Sequence, residues 1–252
     1  MSAFARHGID HLSISSLNLF ASEPALWVME RLLGKRGPVG AAAHRGTAAE
    51  AGIALGLLDP DLPVADCQAY AVKVFDELTV LSRDARVEKE RTGVPSIVWQ
   101  GLERLRPRGA PTATQQEVRV MLPGCPLPWL GYVDLFYADH APGVVVDIKS
   151  TLRLPSEPST GHARQVSLYT YNTPYAAKIA YFTPGRSEVY EVGEAAKRQH
   201  IADLVNIAGR LERFLGLSDD PAVLASVVVP DLDSFWYSDP ITKALAKEVY
   251  GL

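Results

Sequence analysis

The spacing of apolar positions changes along the chain, from a helical period in the first hundred residues to short alternating runs in the middle. Glu117-Val118-Arg119-Val120-Met121-Leu122, Trp129 to Tyr137 and Val144 to Lys149 are brief apolar runs bounded by turn residues, and they read as strands. The Pro-rich stretch Pro123 to Pro128 joins the first two. The loop Ala138-Asp139-His140-Ala141-Pro142-Gly143 makes an antiparallel hairpin of the second and third. Upstream, Ser22-Glu23-Pro24 starts a helix that runs to about Leu33 and is broken by Gly34 and Gly37-Pro38. A small-residue helix spans Arg45 to Leu58, a longer one opens at Pro63 and continues through Leu81, and Pro107 to Pro111 is a loop. Downstream, a helix from about His162 to Asn172 precedes strands at Ala177 to Phe182 and Glu188 to Val192. Ala195 to Leu217 then forms a long amphipathic helix, and the proline-bearing remainder is irregular or forms short helices. The economical architecture is α/β, with helices packed on a central mixed sheet.

At 252 residues the chain suffices for one sizeable core, so a single domain over 1–252 is expected. The composition, 47% hydrophobic and 21% charged, is that of a globular protein, and no apolar run approaches the length that crosses a bilayer. The N-terminus lacks the apolar stretch of a signal peptide, and the two cysteines, Cys67 and Cys125, suit a reducing compartment, so a cytoplasmic location with no membrane partner is expected. Two cysteines also cannot hold an iron–sulfur cluster by themselves. A net charge of −4 excludes a uniformly basic surface but not local patches. Three are visible: Arg31, Lys35 and Arg36; Arg83, Arg86, Lys89 and Arg91; and Arg104, Arg106 and Arg108. Each reads more readily as a solvated helix face.

The chemistry sits where charge interrupts apolar runs. Strand residues i and i+2 share a face, so Asp147 and Lys149 emerge together while Ile148 points the other way, and the hairpin brings Asp134 alongside. Buried charge costs several kcal/mol per ion unless it is paired or bound to metal, so the cluster calls for a partner such as a divalent cation. Glu50 shares a helix face with Ile53, Ala54 and Leu57 and points inward, and its alanine and glycine neighbours allow close approach to the sheet. Gln165 and Tyr169, at i and i+4 with His162 three residues earlier, present one polar face on the helix after Lys149.

Taken in order, these segments resemble the PD-(D/E)XK nuclease superfamily, in its RecB-type and phage-exonuclease branch. Ser13 to Trp27 resembles the family's N-terminal helix signature, and Arg45-Gly46-Thr47 with Glu50 resembles the helix motif that supplies a metal ligand. Gly131-Tyr132-Val133-Asp134 matches the Gly-x-x-Asp strand, Val146-Asp147-Ile148-Lys149 the acidic-x-Lys strand, and Gln165-x-x-x-Tyr169 the Gln-x-x-x-Tyr helix. Many RecB-type members have His where Glu50 stands, and at this position the chain resembles the lambda-exonuclease and YqaJ-type members instead. Glu23 stands where iron–sulfur members have a cysteine, so no cluster is expected.

The resemblance implies a restriction-endonuclease-like core, with motifs over 44–182 and a C-terminal helix and tail over 193–252. It implies a Mg²⁺- or Mn²⁺-dependent DNA exonuclease of phage or bacterial recombination or repair. Glu50, Asp134, Asp147 and the Ile148 carbonyl would hold metal, and Lys149, Gln165 and Tyr169 would complete the catalytic set. Arg45, His162 and Arg164 would contact DNA, and Gln165 would orient Lys149 or a phosphate oxygen. A single-strand annealing or recombination protein is a possible partner, as is a second copy of the chain. An endonuclease on the same fold and a non-catalytic DNA-binding or assembly module remain as alternatives.

Overall fold

A computed structural model describes residues 2–252. The elements are α1 (Ala3–Arg6), α2 (Ile14–Ser22), α3 (Pro24–Trp27) with a π turn over Val28–Leu32, α4 (Ala41–Leu58), α5 (Val64–Thr79), α6 (Val87–Leu105), β1 (Ala113–Val120), β2 (Trp129–Tyr137), β3 (Val144–Ser150), α7 (Thr160–Tyr169), β4 (Ala176–Phe182), β5 (Ser187–Val192), α8 (Glu194–Leu215), α9 (Pro221–Ser226) and α10 (Pro240–Tyr250). The strands form one mixed sheet in the order β1-β2-β3-β4-β5, antiparallel at β2–β3 and β4–β5 and parallel at β3–β4. The expected α/β architecture, a mixed sheet flanked by helices, is therefore what the chain forms.

The chain divides into two compact units, one of residues up to Pro38 with Val118–Gly131 and Arg198–Leu252, the other of Val39–Glu117 and Tyr132–Lys197. Three of the four divisions fall within β1, β2 and α8, and the fourth, after Pro38, falls in the connection that precedes α4.

In the second unit the strand alternation separates two apolar layers. Leu135, Tyr137, Val144, Val146, Ile148, Ala180 and Phe182 meet α4, α5 and α6 on one face, and Ala177, Ile179 and Tyr181 meet Ala163 and Val166 of α7 on the other. Glycines on α4 allow helix-to-helix contact at backbone distance: a Cβ at Gly52 would lie 2.8 Å from both Ala71 Cβ and the Cys67 carbonyl oxygen. Helix α4 begins four residues earlier than its sequence pattern indicates, because the Ala41 N–H donates to Asp84 Oδ2 at 2.9 Å, a cap supplied from a distant part of the chain.

Helix α6 is an element that the pattern leaves unassigned. Gly93 and Pro95 read as breakers, yet Val94, Ile97, Val98, Gly101, Leu102 and Leu105 recur at helical spacing and are buried. The Pro95 carbonyl is taken up by Gln68 Nε2 at 2.9 Å. Strand β1 starts at Ala113, earlier than expected, and ends at Val120.

In the first unit the Ser13 hydroxyl accepts from the Ser16 N–H and caps α2, while Ser16 Oγ accepts from the buried Trp27 indole at 2.8 Å. Pro24 occupies the first turn of α3. Buried Glu23 accepts from the Tyr237 hydroxyl, and burial pushes its carboxyl above the usual range. The serine–proline–tryptophan signature is thus a packing node. No helix among the described residues is long and apolar enough to cross a membrane.

Because a side chain at position 52 would meet backbone as well as Ala71, Gly52→Val is expected to destabilise the protein by about 1–3 kcal/mol, read as a lowered midpoint in urea unfolding.

Candidate active site

The β2–β3 ladder is in register from Tyr137↔Val144 to Leu135↔Val146. Past that pair the Ile148 N–H donates to the Asp134 carboxylate, Oδ2, at 2.7 Å. The acid therefore satisfies a backbone donor at the place where it enters the sheet. Asp147 is fully buried, 0% exposed, and its Oδ2 lies 2.7 Å from Lys149 Nζ. The i, i+2 spacing makes this pair, as the strand period requires.

Asp134 and Asp147 lie within each other's electrostatic field. Burial raises the pKa of both, opposed by the Lys149 ammonium. Glu50, carried in by α4, is raised as well, by burial first and then by the charge of Asp134. Lys149 is itself disfavoured as a cation by burial, but Asp147 and Asp134 more than offset this and hold its pKa above the ordinary lysine value. The set is rich in hard oxygen donors and short of positive charge.

Gln115 of β1 was not singled out by the sequence pattern. Its Nε2 donates to Glu50 Oε1 and, at 3.1 Å, to Asp134 Oδ1, joining the two acids. The residue has φ +50°, left-handed for a non-glycine side chain inside a strand, a conformation that costs roughly 1–2 kcal/mol and re-aims the side chain as a bulge would. Two consecutive glutamines in a strand carry no local signal of that backbone.

Tyr169 lies within the field of Asp147, Asp134 and Lys149, and burial pushes its phenol up to about 12. Gln165 Nε2 donates to the Tyr169 hydroxyl at 2.9 Å. Gln165 was expected to orient Lys149 or a phosphate oxygen; in the structure its amide nitrogen holds the tyrosine.

Two of the expected DNA contacts are placed differently. Arg45 is 4% exposed; its guanidinium is ion-paired with buried Glu90 and donates to the Ser150 hydroxyl at 3.2 Å and the Ser150 carbonyl at 3.4 Å. It is an internal clamp between α4, α6 and the end of β3, with no face left for a phosphate. His162 Nδ1 is bonded to the Tyr181 hydroxyl at 2.7 Å, and Tyr181 is the β4 partner of Lys149. Burial, then the nearby Lys149 charge, lowers His162 to about 4, so it is neutral at pH 7 and offers no cation to DNA. Arg164 is half-buried on α7.

The basic clusters are partly consumed within the protein. Lys35 pairs with Glu248, Arg86 with Asp84 and Arg91 with Asp76, while Arg106 donates to the Gly56 and Leu62 carbonyls.

The model of the PD-(D/E)XK nuclease superfamily matches residues 11–226. The chain belongs to that superfamily. Among solved structures it is similar to the crystal structure of a "Putative exonuclease" from Eubacterium rectale, with 13% identity, a TM-score of 0.57, and coverage of 85% of this chain and 84% of the other. That likeness is one of fold. A second structure, SSO0001, gives a TM-score of 0.35 at 18% identity, covering 66% of this chain and 85% of its own, too distant to bear on the site. No curated protein matches. Nucleases of this superfamily generally use divalent metals.

Two predictions follow from the placement of Arg45 and His162. Arg45→Met leaves Glu90 buried without its partner and is expected to cost about 3–5 kcal/mol in chemical unfolding. His162 is depressed in the folded state from an unfolded value of 6.5, so its contribution is fully present above pH 6.5 and is lost as pH falls toward 4. Half-burial discounts the full shift, leaving on the order of 2 kcal/mol. Unfolding of wild type and His162→Gln at pH 7.5 and pH 4.5 is expected to show a steeper acid loss in wild type.

Proposed function

We propose that this chain is a metal-dependent DNA exonuclease. The observation that supports it most is the buried pair Asp134 and Asp147 with Lys149 beside it, at the point where the β2–β3 ladder gives way to a side-chain hydrogen bond. The donor set fits a hard divalent cation: Asp147 Oδ1 is buried and meets no donor, and three carboxyls of raised proton affinity face one lysine.

Asp134, Asp147, Glu50 and the Ile148 carbonyl would hold Mg²⁺ or Mn²⁺, which when bound supplies Lewis acidity at the scissile phosphate and makes a bound water more acidic. Lys149 keeps its proton at neutral pH, because the acids hold its pKa up, and so presents a fixed positive charge to the phosphate oxygens on which charge accumulates. Asp147 fixes the position of that ammonium. Tyr169, braced by Gln165, keeps its hydroxyl proton and is a neutral hydrogen-bonding group beside the acids. The layer of α7 and Tyr181 behind Lys149 excludes water and strengthens these interactions.

Asp147→Asn and Lys149→Met are each expected to reduce cleavage of end-labelled linear duplex by at least about 10³-fold in Mg²⁺ or Mn²⁺, with EDTA abolishing it in wild type. Equal rates in wild type and either variant would overturn the assignment. Cleavage of covalently closed circles would replace the exonuclease with an endonuclease on the same fold. Metal binding without cleavage of linear, single-stranded or circular DNA would favour a non-catalytic module.

A further inference from the structure

The amide of Gln115 lies on the solvent side of the acids it joins. Gln115 is exposed, Glu50 half-buried, Asp134 8% exposed and Asp147 fully buried, so the side chains descend from water into the sheet in that order. One NH₂ group donates to a carboxylate on α4 and to another on β2. An amide nitrogen is the neutral counterpart of a small cation here: it has two N–H bonds for two acceptors but only partial positive charge. It relieves the repulsion between the acids without neutralising them.

Among the described residues no three His, Cys, Asp or Glu side chains converge closely enough to cage an ion. The gap between Glu50 and Asp134 is occupied by the amide instead. The left-handed backbone of Gln115 keeps it there, and a glutamine side chain has enough rotatable bonds to leave without moving the strand.

We propose that Gln115 is the gate of the cation site: its amide nitrogen closes the space between Glu50 and Asp134, and a divalent ion enters by displacing it. The inference rests on the metal-dependent reading above and adds a residue that competes with the ion. Gln115 is a positioning residue, because it acts on the acids and not on substrate.

The test is a calorimetric titration of the full chain with Mn²⁺ at pH 7.5, for wild type, Gln115→Ala and Gln115→Gly, paired with thermal unfolding in EDTA and in saturating Mn²⁺. Glycine tolerates the left-handed backbone, so that variant remains foldable if alanine is strained. Removal of a competing amide is expected to tighten Mn²⁺ binding roughly ten-fold. It is also expected to lower the melting temperature in EDTA, where the acids lose their shared donor, and not in saturating Mn²⁺. A purely structural glutamine would lower the melting temperature equally in both conditions and leave the affinity unchanged, which would overturn the gate. Weaker Mn²⁺ binding in the variants would make Gln115 a ligand and would also overturn it. If wild type binds no Mn²⁺, the metal reading itself falls and the gate with it; if wild type binds and the variants bind no more tightly, only the gate falls.

Discussion

The hydrogen bond from the Ile148 N–H to Asp134 Oδ2 is the constraint around which the site is arranged. A carboxylate cannot stand in a sheet interior unless something donates to it, and a strand N–H cannot lose its ladder partner without another acceptor. Each solves the other's problem at one point. The bond sets where the β2–β3 register stops and aims Asp134 across β3 toward the side of the sheet on which Asp147 and Lys149 emerge. The parallel β3–β4 pairing continues past that point, from Val144↔Ala176 to Ser150↔Phe182, so β3 remains anchored on one edge while it parts from its partner on the other.

Burial of the acids is only partly compensated inside the protein. Lys149 supplies one positive charge against three carboxyls, and the raised proton affinities of Glu50, Asp134 and Asp147 are the thermodynamic sign of the remainder. By contrast, the Arg45–Glu90 pair, also buried, meets a balanced set of donors and acceptors and needs nothing from outside. Two buried clusters in the same unit therefore differ in kind. One is complete and holds α4, α6 and β3 together; the other is under-satisfied, which is the condition that favours a cation.

The strands and their acids were legible because both depend on short-range rules. A period of two puts Asp147 and Lys149 on one face, and a six-residue loop between apolar runs makes the hairpin that delivers Asp134. Helix α6 was hidden because Gly93 and Pro95 are local breakers, whereas its buried stripe from Val94 to Leu105 is rewarded only once α4 and α5 are in place. The start of α4 depends on Asp84, forty-three residues away. Arg45 belongs to the helix motif with Glu50 and read as a DNA contact, because burial and pairing to Glu90 are tertiary facts. Gln115 was invisible for a different reason: its role follows from a backbone conformation that glutamine does not advertise.

Helix α4 links the two clusters. Arg45 and Glu50 are five residues apart, about 140° around a helix of 3.6 residues per turn, so they leave it in different directions, one toward Glu90 and Ser150 and the other toward Gln115 and Asp134. The complete cluster pins the helix at one point, and small residues such as Gly52 let it lie against α5 at backbone distance. With those two restraints the remaining freedom of α4 is slight, and the position of the Glu50 carboxylate is set by contacts that do not include the other acids. The under-satisfied cluster can thus be held together without being neutralised, because the scaffold bears the repulsion among its carboxyls.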